Sequence, residues 1–586
     1  MSSNWNLSVL YTDPKSKILA KDFESFEQES KTFLKWCEEN FKESQNAGQK
    51  LEQYLNKLDN LSKFETIKAY IYLNLAVDTT SAEFARLNSK NEKISVLAKQ
   101  VKNQLVLFLK KVDDLEVLIQ NSALLQNYAF FLKEAKEKAD KLLNANEEYI
   151  LAKMSLNGSK LWSKQWQQIT STLNVEYKNE NLTLSEIRNL ASDASSAVRK
   201  EAYLSELKAY EKIDIASSFC INGIKGEVIE LCELKGYQSP LEMTLKEARL
   251  DKEVFEAMMS AIKQSLPQLQ EYFIKKAEFL GHKNGLPFYD LFAPITKNTQ
   301  EYSYGDATKL VYEHFSRFSQ KMGDFAKKSF DEEWIDVYPR KGKVGGAFCY
   351  PIQSVKQSRI LLNYSGSIDN VFTIGHELGH GYHNYCLNTE NYLNTEYSMP
   401  IAETASTLCE NIIVQAALEN ASSDEERFNI LEKDLSRSLQ CIVDIYSRFL
   451  FEDGLFKKRA EGFVSKEELC AMMLDAQKQA YGKGLDENFL HPYMWVCKTH
   501  YYNASYNYYN FPYAYGTLFS KALFERYLKE GQEFVAKYDA MLAYTGKASL
   551  YEVGSFVGVN LKDKNFWLSS LELIIKDIKA YQEAKI

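Results

Sequence analysis

Three of the seven histidines in the chain fall within eight residues, between positions 376 and 383. His376 and His380 are four positions apart, so on a helix their side chains point about 40° apart and can share one metal ion. Glu377 stands beside the first of them and can accept a proton from a metal-bound water. This His-Glu-x-x-His pattern predicts a zinc site with its own general base.

A third metal ligand has to come from elsewhere, because a catalytic zinc takes three protein ligands and leaves one position open for water. Two known spacings for that ligand do not fit. One needs Gly and His where the chain has His383 and Cys386, and the other needs Glu where it has Met399. The acidic residues that follow the motif remain as candidates, and they are Glu390, Glu396, Glu403 and Glu410.

Glu403 and Glu410 are distinguished by their surroundings in the sequence. Residues 402–409 are mostly small, which suits a helix packed tightly against the first one. Glu410 lies seven residues after Glu403, two helical turns along the same face. From there it could accept a hydrogen bond from a metal-ligating imidazole.

The histidine motif is unusually rich in glycine, with Gly375, Gly379 and Gly381 in the same helical segment. Each glycine inside a helix is less stable than alanine by roughly 0.5–1 kcal/mol. Such a helix is expected where another backbone or a substrate approaches closely. His383 is expected to line the pocket rather than coordinate. Cys386 is expected to be a buried free thiol, although as a fourth ligand it would make the metal site structural.

A second unusual segment carries seven tyrosines among the fifteen residues 501–515 and begins after His500. Most of these rings are expected to belong to an aromatic core helix, on which Tyr506 and Tyr513 would share a face at a spacing of seven. A phenol beside a zinc site can donate a hydrogen bond to an oxyanion as negative charge develops, and His500 could do the same.

The elements that position these residues are predicted to be mainly helical. No proline occurs between Pro14 and Pro240, which permits long uninterrupted helices. An apolar stripe at helical spacing is formed by Phe23, Phe26, Phe33, Cys37 and Phe41. Two short strands are predicted just before the histidine motif, over 344–349 and 358–364.

Length and composition exclude several classes of protein. The 586 residues carry a net charge of −8, and no block of basic residues suggests a nucleic-acid binder. Hydrophobic content of 45% is that of a globular protein, and no apolar run is long enough for a membrane-spanning helix. The start has no secretory signal, and the nine cysteines include no Cys-x-x-Cys pair. These features predict a cytoplasmic protein with free thiols.

Domain organisation is indicated by the polar stretch 174–182, after which the helical pattern resumes at Ser195. We therefore predict an N-terminal helical domain over 1–195 and a catalytic domain over 196–586. No internal repeat of fixed period suggests a solenoid.

Three segments together resemble oligoendopeptidase F, the bacterial branch of the zinc peptidases related to thimet oligopeptidase. They are Thr373–His380, the Glu403 segment and Tyr508–Tyr513. Weaker matches lie at 156–163, 336–349 and 557–567, so the resemblance spans roughly residues 150–580. It implies a mainly α fold of two lobes that enclose a deep cleft, with a small β-sheet beside the zinc-binding helix.

The resemblance also implies one zinc ion per chain and a role for each site residue. The implied zinc ligands are His376, His380 and Glu403, the implied general base is Glu377, and the implied partners of the oxyanion are His500 with Tyr513 or Tyr506.

The predicted function is zinc-dependent cleavage of internal bonds in short peptides, with the strand over 344–349 pairing with the extended substrate. One alternative is a zinc carboxypeptidase of similar helical fold, which would release single C-terminal residues. Another is a non-catalytic peptide-binding protein with a structural metal. The sequence does not indicate the oligomeric state, the peptide length limits or the preferred side chains.

Overall fold

A computed structural model describes residues 3–296 and 301–584 of the chain. These residues form mainly α-helices with a small amount of β-sheet, which confirms the predicted fold class. The helices are α1 (Lys17–Asn40), α2 (Ala47–Ser62), α3 (Glu65–Val77), α4 (Ala82–Leu109), α5 (Leu115–Gln120), α6 (Ala123–Asn127), α7 (Ala129–Asp140), α8 (Ala145–Asn157), α9 (Ser159–Ser171), α10 (Leu184–Asn189), α11 (Ser196–Tyr210), α12 (Asp214–Leu234), α13 (Pro240–Glu247), α14 (Lys252–Phe279), α15 (Tyr304–Phe318), α16 (Gln320–Asp331), α17 (Ile368–Leu387), α18 (Met399–Asn420), α19 (Asp424–Leu439), α20 (Ile445–Glu461), α21 (Lys466–Tyr481), α22 (Phe511–Glu530), α23 (Gln532–Tyr544), α24 (Leu550–Phe556) and α25 (Lys564–Glu583). The strands are β1 (Val175–Tyr177), β2 (Glu180–Leu182), β3 (Ile335–Asp336), β4 (Phe348–Ile352) and β5 (Gln357–Leu361).

The chain forms two compact units, and each unit is assembled from three separate segments. Unit 1 contains Met1–Leu142, Gln300–Ala416 and Phe524–Val557, and unit 2 contains Leu143–Thr299, Ala417–Leu523 and Gly558–Ile586. The predicted spans 1–195 and 196–586 are continuous, whereas these units are interleaved. The assignment of an N-terminal and a catalytic domain stays a prediction, as does the deep cleft.

Unit 1 has a core of helices α1 to α7 whose apolar faces pack together. In α1 the predicted stripe is confirmed, because Phe23, Phe26, Phe33 and Cys37 are all buried. Ser16 caps this helix by accepting a hydrogen bond from the Ile18 amide at 3.2 Å.

The sheet of unit 1 has the strand order β3-β5-β4, with β3 parallel and β4 antiparallel to β5. Both β4 and β5 pack against α17, so the predicted small sheet beside the histidine helix is confirmed. The strand predicted over 344–349 begins only at Phe348. Gly345 and Gly346 form a bend instead, with Gly346 in the left-handed region at φ +78°.

Unit 2 contains a second apolar core around Trp166, Tyr210 and Trp495. It also contains the hairpin β1–β2, which lies inside the polar stretch 174–182 that the sequence suggested only as a separator. Its turn residues Lys178 and Asn179 both have positive φ, at 48° and 66°. This is the backbone geometry of a tight two-residue hairpin turn.

Two findings concern the chain's chemistry as a whole. No helix in the described parts of the chain is both long enough and apolar enough to span a lipid bilayer. All nine cysteines lie in the described parts and are free, as predicted.

Candidate metal centre and active site

Helix α17 carries the His-Glu-x-x-His motif and has a well-formed start. The Ser367 side chain accepts from the Asn370 amide at 3.3 Å, while the Asn370 side chain reaches back to the Ser367 amide at 3.4 Å. His376 and His380 lie in the third and fourth turns of this helix. Their ring centroids are 4.9 Å apart at an interplanar angle of 84°, so both imidazoles face the same side.

The glycines of α17 allow helix α18 to approach at backbone distance. A Cβ atom on Gly379 would lie 2.7 Å from Ser406 Cα and 2.9 Å from the Ala405 carbonyl oxygen. A Cβ on Gly375 would lie 2.9 Å from Ile413 Cγ1. Neither space can hold a methyl group, so the close backbone approach expected from the sequence is confirmed and α18 brings Glu403 to the histidines.

His376, His380 and Glu403 form the one cluster in the described part of the chain whose geometry suits a metal ion. One ligand atom from each residue lies within 4.8 Å of the other two. His376 Nε2 is 3.6 Å from Glu403 Oε2. In a tetrahedral zinc site with bonds of about 2.1 Å, two ligand atoms lie about 3.4 Å apart. The observed separation is close to this distance. Two imidazoles and a carboxylate are also a common donor set for catalytic zinc.

Both imidazoles are held in the form that binds a metal. His376 Nδ1 donates to Glu410 Oε2 at 3.1 Å, which leaves its Nε2 lone pair free to coordinate. Burial, together with the nearby His376 and His383, holds the pKa of His380 well below its usual value and keeps it neutral. Glu410 therefore orients His376 from the side opposite Glu403, as the sequence spacing suggested.

Glu377 is buried beside the cluster, with only 6% of its surface exposed. Burial raises the pKa of Glu377 to about 7; the Glu403 charge adds to this effect and His376 opposes it. A carboxyl group with a pKa close to neutral can both accept and return a proton at physiological pH. Its environment fits the role of general base that the motif predicts.

Strand β4 borders the cluster through Cys349. A Cβ on Gly381 would lie 2.9 Å from Phe325 Cζ and 3.7 Å from Cys349 Sγ, so this glycine fits α17 against the sheet. Burial raises the pKa of the Cys349 thiol above its usual value, and the nearby Glu377 charge adds to this effect. On α3, Tyr72 stacks on Tyr350 of the same strand at a centroid distance of 5.0 Å.

His383 and Cys386 lie outside the metal cluster. His383 is fully buried, donates through Nε2 to Thr545 Oγ1 at 2.7 Å and stacks on Tyr397 at 3.9 Å. It is a core residue, so the expectation that it lines the pocket is not met. Cys386 is a buried thiol whose Sγ lies 4.0 Å from Lys321 Nζ. No fourth ligand atom joins the cluster from the residues described.

The other acidic candidates are occupied elsewhere or exposed. Glu390 forms an ion pair of 2.8 Å with Lys547, and Glu396 lies on the surface. Of the four candidates, the structure therefore brings only Glu403 into the cluster, with Glu410 behind His376.

In unit 2, His500 is held by residues that the sequence did not single out. Arg448 Nη1 donates to Asn510 Oδ1 at 3.3 Å, so the amide nitrogen of Asn510 faces His500 Nε2 at 2.8 Å and donates to it. His500 Nε2 is then an acceptor, and the proton is assigned to Nδ1. Burial and the neighbouring Arg448 charge lower the pKa of His500 to about 2, so the ring stays neutral.

The tyrosine-rich segment of unit 2 is not one helix. A 3-10 turn spans Thr499–Tyr502, turns follow, and α22 begins only at Phe511. Tyr508 has a φ of 51°, which no regular helix accepts. Tyr506 and Tyr513 therefore do not share a helical face, and that expectation is wrong.

Tyr509 connects the candidate residues of this segment. Its ring centroid lies 5.9 Å from that of His500, 5.3 Å from that of Tyr506 and 6.3 Å from that of Tyr513. Tyr506 is 52% exposed. His500, Tyr506 and Tyr513 thus belong to one aromatic group within unit 2, and their catalytic roles stay predictions.

The chain is similar to known peptidases along most of its length. It is 26% identical over 488 residues to the Group B oligopeptidase PepB of Streptococcus agalactiae. This alignment covers 81% of the present chain and 80% of PepB. A solved peptidase structure from Chlamydophila abortus covers 99% of both chains with a TM-score of 0.82 and 21% identity. Oligoendopeptidase-F from Enterococcus faecium covers 97% of this chain and 99% of its own, with a TM-score of 0.71 and 18% identity.

The mainly helical fold and the two histidines of α17 are features expected of a helical metallopeptidase. The family is shown by the sequence, since the model of Peptidase family M3 matches residues 189–573 and that of Oligopeptidase F matches residues 111–174. The chain belongs to peptidase family M3. The predictions of an oligoendopeptidase F-like chain and of a metalloendopeptidase acting on oligopeptides are thereby confirmed.

Proposed function

We propose that the chain is a zinc-dependent endopeptidase that cleaves internal bonds of short peptides and binds one zinc ion through His376, His380 and Glu403. The convergence of these three side chains, with His376 turned by Glu410, is the observation that carries the proposal. Family M3 peptidases use a metal, generally zinc. When bound, zinc lowers the pKa of a coordinated water to about 7 and polarises a carbonyl group.

Glu377 moves the proton in the proposed reaction. Its carboxylate accepts a proton from the attacking water and then passes it to the amide nitrogen of the leaving product. Its buried position excludes bulk water, and its raised pKa favours holding the proton between the two steps.

The hydrogen-bond donors to the developing oxyanion are proposed to be His500 and Tyr513, with Tyr506 as the alternative phenol. The fixed tautomer of His500 supports this role, because the ring is neutral at physiological pH and Nδ1 carries its proton.

Strand β4 is proposed to bind the substrate backbone. It is one of the two outer strands of the sheet and pairs with β5 on one side only among the described residues. An extended peptide can add to such an edge through main-chain hydrogen bonds, which makes recognition tolerant of sequence. The Tyr72–Tyr350 stack offers an aromatic surface on the same strand.

Glu377→Gln tests the proposal directly. The amide keeps the size of the side chain but accepts no proton, so we expect zinc to stay bound while cleavage of a nonapeptide falls by about three orders of magnitude or more. Metal content measured by mass spectrometry and cleavage rates measured by chromatography check both parts. Retained cleavage in the zinc-loaded variant would refute the base assignment.

The same digestion separates the two enzyme alternatives. An endopeptidase gives internal fragments of the nonapeptide, whereas a carboxypeptidase gives a ladder of products shortened by one residue. A chelator should stop the reaction, and added zinc should restore it.

A further inference from the structure

Unit 2 contains a cavity of about 190 Å³ that none of the proposed site residues lines. Its walls come from α10, α11, α14, α19, α20, α21 and the segments 288–292, 440–444 and 491–498. A single buried water needs only about 10–15 Å³ of such space. The cavity is therefore large enough for an organic molecule of several heavy atoms.

One part of the wall is aromatic. The phenylalanine and tyrosine rings that line it are Tyr203, Tyr272, Phe273, Phe288, Tyr289, Phe292 and Tyr481. The Tyr203 hydroxyl donates to the Leu490 carbonyl at 2.6 Å, which fixes the position of this ring. An aromatic wall of this kind suits the apolar body of a small ligand.

The charged part of the wall has one positive charge in excess. Three arginines are each paired with a carboxylate: Arg188 with Glu206, Arg199 with Asp290, and Arg448 with Asp444. Lys498 also lines the cavity, and its Nζ has neither a hydrogen bond nor an ion pair with any residue in 3–296 or 301–584. Burial and the Arg448 charge lower the pKa of Lys498, which a bound anion would reverse.

Further polar atoms of the wall lack partners. Both ring nitrogens of His491 are buried without a hydrogen bond to the described residues, and so is Nε of Arg448. His491 Nε2 lies 3.7 Å from Glu206 Oε1, which is too long for a hydrogen bond. Unsatisfied buried groups are rare in folded proteins and indicate a missing water, ion or ligand.

The backbone beside these groups is also unusual. Residues Gln440–Asp444 form a π-helical turn between α19 and α20. This turn places Gln440 and Asp444 on the cavity wall, with Arg448 one turn later. Single π-helical turns are uncommon and occur frequently at functional sites.

We propose that this cavity binds a small organic molecule with one carboxylate and an apolar body. The carboxylate lies between Lys498 and Arg448, and the apolar body packs against the aromatic wall. One negative charge matches the single excess positive charge, and the half-buried Lys498 gains a counter-ion. None of the proposed metal ligands or oxyanion donors lines the cavity, but Arg448 also holds Asn510 beside His500. The test below therefore measures ligand binding and not peptide cleavage.

Calorimetric titration of the full-length protein with benzoate tests the proposal, with the neutral isostere benzamide as the matched ligand. We expect one saturable benzoate site and at least tenfold weaker binding of benzamide. Lys498→Met should weaken benzoate binding at least tenfold, whereas Lys263→Met, at an exposed lysine of α14, should leave it unchanged. A thermal unfolding curve of each variant checks that it is folded.

A second variant keeps the charged residues of the cavity wall and fills part of the cavity volume. Ala191→Leu adds bulk at the cavity wall and should also weaken benzoate binding. Absence of benzoate binding to the wild type, or equal binding by Lys498→Met, would overturn the proposal. Chloride or acetate binding as tightly as benzoate would overturn the assignment of an apolar body.

Discussion

His376 is contacted by two carboxylates on opposite nitrogens of its ring. Glu403 Oε2 lies 3.6 Å from Nε2, and Glu410 Oε2 lies 3.1 Å from Nδ1. Both acids come from α18, two turns apart, so one helix supplies both the third ligand and the group that orients the first. A small shift of α18 would therefore change ligand position and ligand tautomer together.

Glu403→Ala should abolish stoichiometric zinc binding, because only two protein ligands remain. Glu396→Ala is the matched control, since Glu396 is exposed and precedes α18. Metal content of the purified variants, measured by inductively coupled plasma mass spectrometry, checks the prediction. Full zinc occupancy in Glu403→Ala would show that another residue is the ligand.

At the residue scale, the local part of the site could be predicted from the sequence and the distant part could not. His376, Glu377 and His380 are adjacent on one helix, so their geometry follows from helical spacing alone. The position of Glu403 depends on how α18 packs against α17. Spacing alone therefore leaves it as one of four acidic candidates, and only the resemblance indicates it as the ligand. Asn510 and Arg448, which fix the tautomer of His500, gave no signal in the sequence.

Helix α17 and helix α18 are in contact at backbone distance, and this contact depends on Gly379. Gly379→Ala places a methyl group 2.7 Å from Ser406 Cα, so α18 must move. Overpacking of this kind costs about 1–3 kcal/mol. We expect a lower unfolding midpoint and weaker zinc binding, because Glu403 moves with its helix.

Gly305→Ala is the matched helical control for this change. A Cβ on Gly305 in α15 has ordinary contact only, with Ser303 Oγ at 3.8 Å. This substitution should raise stability by about 0.4–1 kcal/mol. Thermal unfolding and a zinc titration of both variants check the pair; equal behaviour would argue against close helix packing as the cause.

The turns between Tyr502 and Phe511 are held by a buried ion pair in unit 2. Lys225 Nζ lies 2.6 Å from Glu452 Oε1 and also donates to Asn507 Oδ1 at 2.9 Å. Glu452 accepts in addition from the Tyr508 amide at 3.0 Å. This network stabilises Tyr508 at its positive φ, a backbone conformation that a regular helix does not contain.

Lys225→Met should loosen these turns, because it leaves the Glu452 charge buried and unpaired. Removing one partner of such a pair typically costs about 3–5 kcal/mol. Native-state hydrogen exchange should show faster exchange at Tyr508 by several orders of magnitude. Lys457→Met, which removes an exposed pair with Asp453, should change the same rates little.

At the element scale, periodicity predicted long helices better than it predicted turns. The apolar stripe of α1 was sufficient because its buried face follows one period. The tyrosine-rich segment was predicted as a helix since aromatic residues alone do not reveal a positive φ. The hairpin β1–β2 was missed because its turn is Lys178-Asn179 rather than the stronger Asn-Gly signal.

The whole molecule is made sensitive to acid by His383, which is fully buried and neutral. Burial lowers the pKa of His383 to about 3, whereas an unfolded histidine has a pKa of about 6.5. The unfolded chain therefore binds a proton first as the pH falls. Stability from His383 is complete above about pH 6.5 and is lost between about 6.5 and 3, by about 1.4 kcal/mol per pH unit.

His383→Gln tests this dependence, because the amide can still donate to Thr545 but does not titrate. The variant should be less stable at pH 7 and should lose less stability than the wild type between pH 7 and pH 5. Urea unfolding of both metal-free proteins at these two pH values checks the difference in slope. Parallel curves would show that His383 does not govern acid stability.

At the scale of the molecule, the mainly helical class and the small sheet followed from local patterns, but the division into units did not. Composition changes near residue 195 reflect local structure, namely the hairpin β1–β2 and the start of α11. The units are defined by packing between segments hundreds of residues apart. No local property of the sequence records which distant segment completes a core.

The interleaving of the two units constrains how the protein is made. The chain changes unit after residues 142, 299, 416, 523 and 557. During synthesis from the N-terminus, residues 3–142 leave the ribosome before Gln300–Ala416, which supplies the histidine helix, and before Phe524–Val557, which completes unit 1. Because synthesis proceeds at about 5–20 residues per second, unfinished apolar surface on the nascent chain is exposed for tens of seconds.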